Sequence, residues 1–123
     1  MKNNLKKTND ASSAWLAQRI SAVALFPLLI WFVYFIFVVA EYRDFDLVIS
    51  MFASPFIVLF LAFFINVGLY HGYLGVKEII EDYVHCQKAK ISLILMFKFI
   101  TIISAVAGIC SILVLHLSTF NID

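Results

Sequence analysis

Three long apolar stretches divide the chain, separated by short polar segments. Residues 20–40 contain no acid or base, residues 47–76 carry no charge, and residues 91–117 are interrupted only by Lys98. A helix needs roughly 20 apolar residues to cross a bilayer, and each stretch is long enough. The pattern predicts an all-α membrane protein with three transmembrane helices, near 14–40, 54–84 and 91–117. Residues 14–118 form the anchor domain, with a polar tail at 1–13 and a short tail at 119–123. No internal repeat or low-complexity segment is present.

Local chemistry marks some helix ends. Ser54-Pro55 reads as an N-cap followed by proline at the first helical position, which starts the second span there. From 55 to 76 a helix rises about 33 Å, the depth of a bilayer core. Pro27 lies inside the first span and is expected to kink it, because its ring displaces the bond to the Val23 carbonyl. Lys98 is near enough to a membrane edge to snorkel to the headgroups.

Composition removes the alternatives. The 123 residues are 63% hydrophobic and 14% charged, with mean hydropathy +0.99. A soluble domain cannot coat itself with so little polar surface, and a disordered chain would not be so apolar. A net charge of +1 provides no basic field for nucleic acid. The two cysteines, Cys86 and Cys110, form no disulfide framework and no metal or iron–sulfur spacing, and read as inert thiols.

Basic residues set the expected orientation. Lys2, Lys6, Lys7 and Arg19 precede the first span, and Lys77, Lys88 and Lys90 lie between the second and third. The first loop has only Arg43, beside Glu41, Asp44 and Asp46, and the last residues have no base. The positive-inside rule places the N-terminus and the 77–90 segment in the cytoplasm and the C-terminus on the outer, periplasmic side. The first residues resemble neither a cleavable signal peptide nor a mitochondrial presequence, since no short apolar core with a small-residue cleavage site follows and lysine, asparagine and Asp10 stand where arginine would dominate.

Polar groups within hydrocarbon need a partner or a task. His71 would sit about 9 Å inside the cytoplasmic edge. Gly68 and Gly75 share its helical face and Gly72 adjoins it, so three of the four glycines surround one imidazole. Small residues let the backbone approach a neighbouring helix or a flat macrocycle. Axial ligation of haem is one reading of His71; a hydrogen-bonded histidine at a helix-packing face is the other. The remaining histidines, His85 in the cytoplasmic segment and His116 near the outer end, are poorly placed as a second ligand. Six-coordinate haem would therefore need a histidine from another polypeptide.

Asp82 falls eleven positions after His71, on nearly the same face if the helix continues, and about 16 Å away. With Tyr83 it forms a pair suited to a quinone headgroup, the hydroxyl donating to a carbonyl oxygen and the carboxylate orienting or exchanging protons. The plainer reading is interfacial decoration. Arg19 follows Trp15 by four residues, as a membrane-entry anchor or as a partner for an anionic cofactor group such as a haem propionate. Lys77, Glu78 and Glu81 read as a solvated loop with local ion pairs, and the 13 phenylalanines as lipid-facing bulk and packing.

The order Gln18-Arg19-Ile20-Ser21 through Pro27, then His71-Gly72-Tyr73-Leu74-Gly75-Val76, then Ile79-Ile80-Glu81-Asp82-Tyr83-Val84, resembles a known family. It is that of the small hydrophobic membrane-anchor subunits of succinate dehydrogenase, respiratory complex II. The resemblance spans residues 15–117. The histidine with glycine four later and Asp-Tyr eleven later is its specific part; Trp15 and Arg19 add to it. His85, Cys86 and residues 1–13 lie outside the pattern.

The resemblance implies that His71 is an axial ligand of haem b, with the second histidine from the larger cytochrome b anchor subunit. It implies that Arg19 lies near the haem propionates, that Tyr83 hydrogen-bonds a ubiquinone carbonyl oxygen, and that Asp82 supports that site. FAD and iron–sulfur clusters would belong to the flavoprotein and iron–sulfur partner subunits. The chain would anchor them and serve the tricarboxylic acid cycle and respiratory electron transfer without covalent chemistry of its own. A bacterial inner membrane is the expected location, a mitochondrial inner membrane the alternative. The rival readings are a structural membrane adaptor and the cytochrome b subunit of another respiratory dehydrogenase, although the latter usually carries both haem ligands on one chain.

Overall fold

A computed structural model describes residues 2–120, with side chains from residue 10 onward. The side chains of the tail lysines Lys2, Lys6 and Lys7, and residues 121–123 of the C-terminal tail, therefore lie outside what the structure describes.

Four helices follow one another: α1 (Lys2–Tyr42), α2 (Phe45–Met51), α3 (Pro55–Tyr83) and α4 (Gln87–Thr119). Three are long and apolar enough to cross a membrane, over Asp10–Tyr42, Pro55–Tyr83 and Gln87–Thr119. They are longer than the apolar runs because intrahelical hydrogen bonding continues beyond the hydrocarbon into the flanking polar residues. α1 remains helical through Pro27. It stops at Arg43, whose φ of 48° is left-handed, and Asp44 then caps α2 by accepting from the Asp46 amide at 3.0 Å.

The hydrophobic pattern does not predict the short α2, because the charge-free stretch from residue 47 covers all of it but Phe45 and Asp46 and continues into α3. Ser54 does occupy the N-cap of α3 with Pro55 opening the helix, but its side chain makes no capping bond. Proline without an N–H reduces the demand for one. At the other end, α3 runs through Lys77, Glu78 and Glu81, so these residues are helical and not in a loop. Lys77 and Glu81 form an i,i+4 ion pair at 3.7 Å, and Lys90 Nζ donates to the Glu81 carbonyl at 2.8 Å. That ammonium satisfies an end carbonyl of α3 and complements the helix dipole there.

α3 is the central helix, packed against α1 on one side and α4 on the other. Phe35, Leu61 and Ile112 form the buried centre, with Trp31, Phe32, Met51, Phe52 and Ile65 around it. Trp31 stacks on Phe35 and Phe60, and Phe32 stacks on Phe64 at 4.2 Å between centroids. This aromatic contact zone joins the C-terminal half of α1 to the N-terminal half of α3. Beside it, His116 Nδ1 hydrogen-bonds the Phe52 carbonyl at 2.6 Å, tying α4 to the end of α2. Most other large apolar side chains, such as Phe26, Phe37, Ile103 and Val114, are exposed, as expected where lipid or a partner helix replaces water.

Gly108 sets the distance between α3 and α4. A Cβ there would meet Ile65 Cγ2 at 3.2 Å and Cδ1 at 3.3 Å. Close helix approach through a small residue replaces hydrophobic drive inside a bilayer. Gly108→Leu is expected to destabilise the bundle by about 1–3 kcal/mol through overpacking. A lowered melting temperature in detergent, with Gly72→Ala, where an added methyl meets nothing and no lowering is expected, as control, is the check.

Candidate functional site

The half of the α1–α3 seam that holds the C-terminal end of α3 is polar. Ser21 is the only buried polar side chain among the described residues, at 6% exposure. Its Oγ lies 2.9 Å from the Gln18 carbonyl and is hydrogen-bonded to His71 Nδ1 at 3.0 Å. The imidazole is thus fixed to the opposite helix through one ring nitrogen, and no hydrogen bond among the described residues engages the other. The two plain alternatives for His71 meet here: the ring does make an interhelical bond, yet it retains a second nitrogen for a ligand.

The glycines divide between the two readings. A Cβ at Gly68 would touch Leu25 at 3.8 Å, and one at Gly75 would touch Gln18 at 3.7 Å. These two face α1, with room for a methyl group at ordinary contact distance. A Cβ at Gly72 would meet nothing within 4 Å, so the backbone next to His71 borders open space.

His71 lines a cavity of about 330 Å³ with Trp15, Gln18, Arg19, Ala22 and Glu78. The Arg19 guanidinium lies 5.1 Å from the Trp15 ring centroid, a cation–π contact that holds the charge at the cavity mouth. His71 and Arg19 are therefore brought together. A second cavity of about 170 Å³ shares Trp15, Gln18 and Glu78 with the first and is lined also by Asp82. Asp82 thus joins the site from the C-terminal end of α3. Tyr83 lines neither cavity and is 77% exposed, since the next residue on a helix turns about 100° away.

Three residues of this site are not singled out by the sequence pattern. Glu78 is seven positions after His71, a same-face spacing that could have revealed it. Gln18 and Ser21 stand in the family motif, but the Ser21–His71 contact links positions 50 apart and has no local signal. The other histidines are engaged elsewhere. His85 Nδ1 contacts the Tyr83 carbonyl at 3.1 Å in the exposed α3–α4 connection, and His116 binds the Phe52 carbonyl. Among the described residues no group of three or more His, Cys, Asp or Glu could hold a metal ion, so an ion at His71 would have to arrive with most of its own ligands. Haem iron does so, through the macrocycle, and the donor chemistry of this seam fits it: an imidazole nitrogen and, in the same cavity, a cation for an anionic substituent.

A three-span helical membrane protein with one imidazole and one guanidinium in a shared cavity defines the class. Residues 2–107 match the family described as succinate dehydrogenase/fumarate reductase transmembrane subunit, and the chain belongs to it. A succinate dehydrogenase hydrophobic membrane anchor subunit of Rickettsia typhi is 32% identical over 117 residues, covering 90% of this chain and 93% of that one. Its counterpart from Rickettsia bellii is 33% identical over 110 residues, 87% of each chain. The counterpart from Rickettsia prowazekii is 31% identical over 109 residues, 89% of this chain and 86% of that one. No solved structure matches the chain.

Proposed function

We propose that this chain is the small anchor subunit of a bacterial succinate:quinone oxidoreductase. It holds a flavoprotein and an iron–sulfur subunit at the cytoplasmic face of the inner membrane, beside a larger cytochrome b subunit. The observation that carries the reading is the shared cavity of His71 and Arg19, with the imidazole anchored to Ser21. His71 would hold haem b through an imidazole nitrogen, and Arg19 would neutralise its propionates. A bound haem b supplies a one-electron redox centre. The second histidine comes from the larger anchor subunit, since His85 and His116 are engaged away from the site.

Tyr83 and Asp82 serve ubiquinone. Tyr83 donates a hydrogen bond to a carbonyl oxygen of the headgroup. Asp82 supports that site from the adjoining cavity, where water entering past Glu78 can exchange protons with it. Because the two side chains diverge, the headgroup lies on the outer face of α3, closed by partner chains. The N-terminus faces the cytoplasm, in keeping with the distribution of lysine and arginine.

The test is purification of the native membrane complex through this chain. A flavoprotein and an iron–sulfur protein are expected to co-purify with a second cytochrome subunit, and succinate should reduce added quinone. A reduced-minus-oxidised spectrum should show a cytochrome b band. A complex without those partners, or without the band, overturns the corresponding part of the proposal.

A further inference from the structure

We infer that Ser21 is a positioning residue that sets the tautomer of His71 and thereby makes its Nε2 the ligand nitrogen. The inference rests on the haem reading of His71 and names the residue that prepares it.

Hydrogens decide the direction of each bond. A serine hydroxyl has one hydrogen and two lone pairs. Ser21 Oγ lies 2.9 Å from the Gln18 carbonyl, an oxygen that can only accept, so the hydroxyl hydrogen goes there. The Ser21–His71 bond at 3.0 Å then has one remaining possibility, with Nδ1–H donating to Oγ. A neutral imidazole protonated at Nδ1 carries its lone pair on Nε2. Were the hydroxyl to donate to Nδ1 instead, the proton would sit on Nε2 and block it as a ligand, and the Gln18 carbonyl would lose its contact. Burial of Ser21 limits the water that could offer its hydroxyl a substitute partner.

The local geometry explains why the arrangement persists. Bonding back to the carbonyl three residues earlier is a habit of serine and threonine in helices, so α1 itself orients the hydroxyl. Leu25 against Gly68 and Gln18 against Gly75 hold the helices at that spacing above and below the bond. Ser21 and His71 also line different cavities, Ser21 the apolar one of about 500 Å³ and His71 the polar one of about 330 Å³. The bond therefore forms part of the partition between them. Donation from Nδ1 increases the basicity of the metal-binding nitrogen, as outer hydrogen-bond acceptors do for ligating histidines generally.

The test compares Ser21→Thr with Ser21→Val in the intact, membrane-purified complex. The two replacements have the same shape and differ in a hydroxyl against a methyl. Space for the added group exists on the apolar cavity side. Ser21→Thr should keep the wild-type haem midpoint potential and haem retention. Ser21→Val should raise the potential, because the imidazole becomes a poorer donor, and should speed haem transfer to apomyoglobin about tenfold. Equal values for the two variants overturn the inference, since packing alone would then explain Ser21. A wild-type complex without haem overturns the reading of His71 itself, a result distinct from equality of the variants.

Discussion

Replacing His71 by leucine is expected to remove the low-spin cytochrome b band from the purified complex while the chain stays inserted and assembled. The imidazole is the one histidine nitrogen donor that the described residues offer at the cavity shared with Arg19. Leucine offers no lone pair, so a haem iron held by His71 would lose that ligand, and the reduced-minus-oxidised spectrum should lose its α-band or change to a high-spin form. The fold should tolerate the change. His71 contributes one interhelical hydrogen bond, worth about 1 kcal/mol net. After the substitution Ser21 still has its Gln18 acceptor, so no buried donor is stranded. Leu25 against Gly68 and the stacked Phe32–Phe64 pair continue to join α1 and α3. The check pairs the spectrum with a melting curve. An unchanged band sinks the assignment of His71, and a collapsed melting transition would show that the residue is mainly structural.

The three spans are readable because bilayer physics writes them as continuous apolar runs, and no competing structure accommodates such runs in a chain this short. α2 is not readable for the same reason. It lies largely within the charge-free stretch, and its limits come from Arg43 and Asp44 and from the turn at Phe52, features that leave hydrophobicity unchanged. Gly108 is equally silent in the sequence. A small residue in a long apolar helix has no address until the facing side chain, Ile65, is known.

At the site, placement along one helix is legible and pairing between helices is not. The i,i+4 spacing of Trp15 and Arg19 becomes a cation–π contact. His71 and Asp82 share a face and do line adjoining cavities. The glycines leave two readings open, and only the position of α1 divides them, assigning Gly68 and Gly75 to packing and Gly72 to open space. The Ser21–His71 bond depends on the register of two antiparallel helices, which no local spacing encodes.

Tyr83→Phe is expected to lower ubiquinone reduction about tenfold while leaving succinate oxidation by artificial acceptors at the wild-type rate. A hydrogen bond from the hydroxyl to a reacting carbonyl contributes about 1–1.5 kcal/mol, and each 1.36 kcal/mol changes a rate about tenfold. Within this chain the substitution is nearly silent. Tyr83 is 77% exposed at the last position of α3, lines no cavity of the seam, and its hydroxyl has no partner among the described residues. Phenylalanine keeps the ring and the helix end, and the Tyr83 carbonyl still receives the His85 contact through the backbone. A lost activity would therefore report on what touches the ring from outside the chain. Flavin and iron–sulfur chemistry in the partner subunits would proceed as before, so artificial acceptors that take electrons ahead of quinone are the internal control. Equal loss of both activities would count against a quinone contact and point to a defect in assembly. Asp82→Asn provides the complementary measurement. It lies in the cavity with Gln18 and Glu78, removed from the tyrosine ring, so its effect should appear in the pH dependence of quinone reduction rather than in the affinity for quinone.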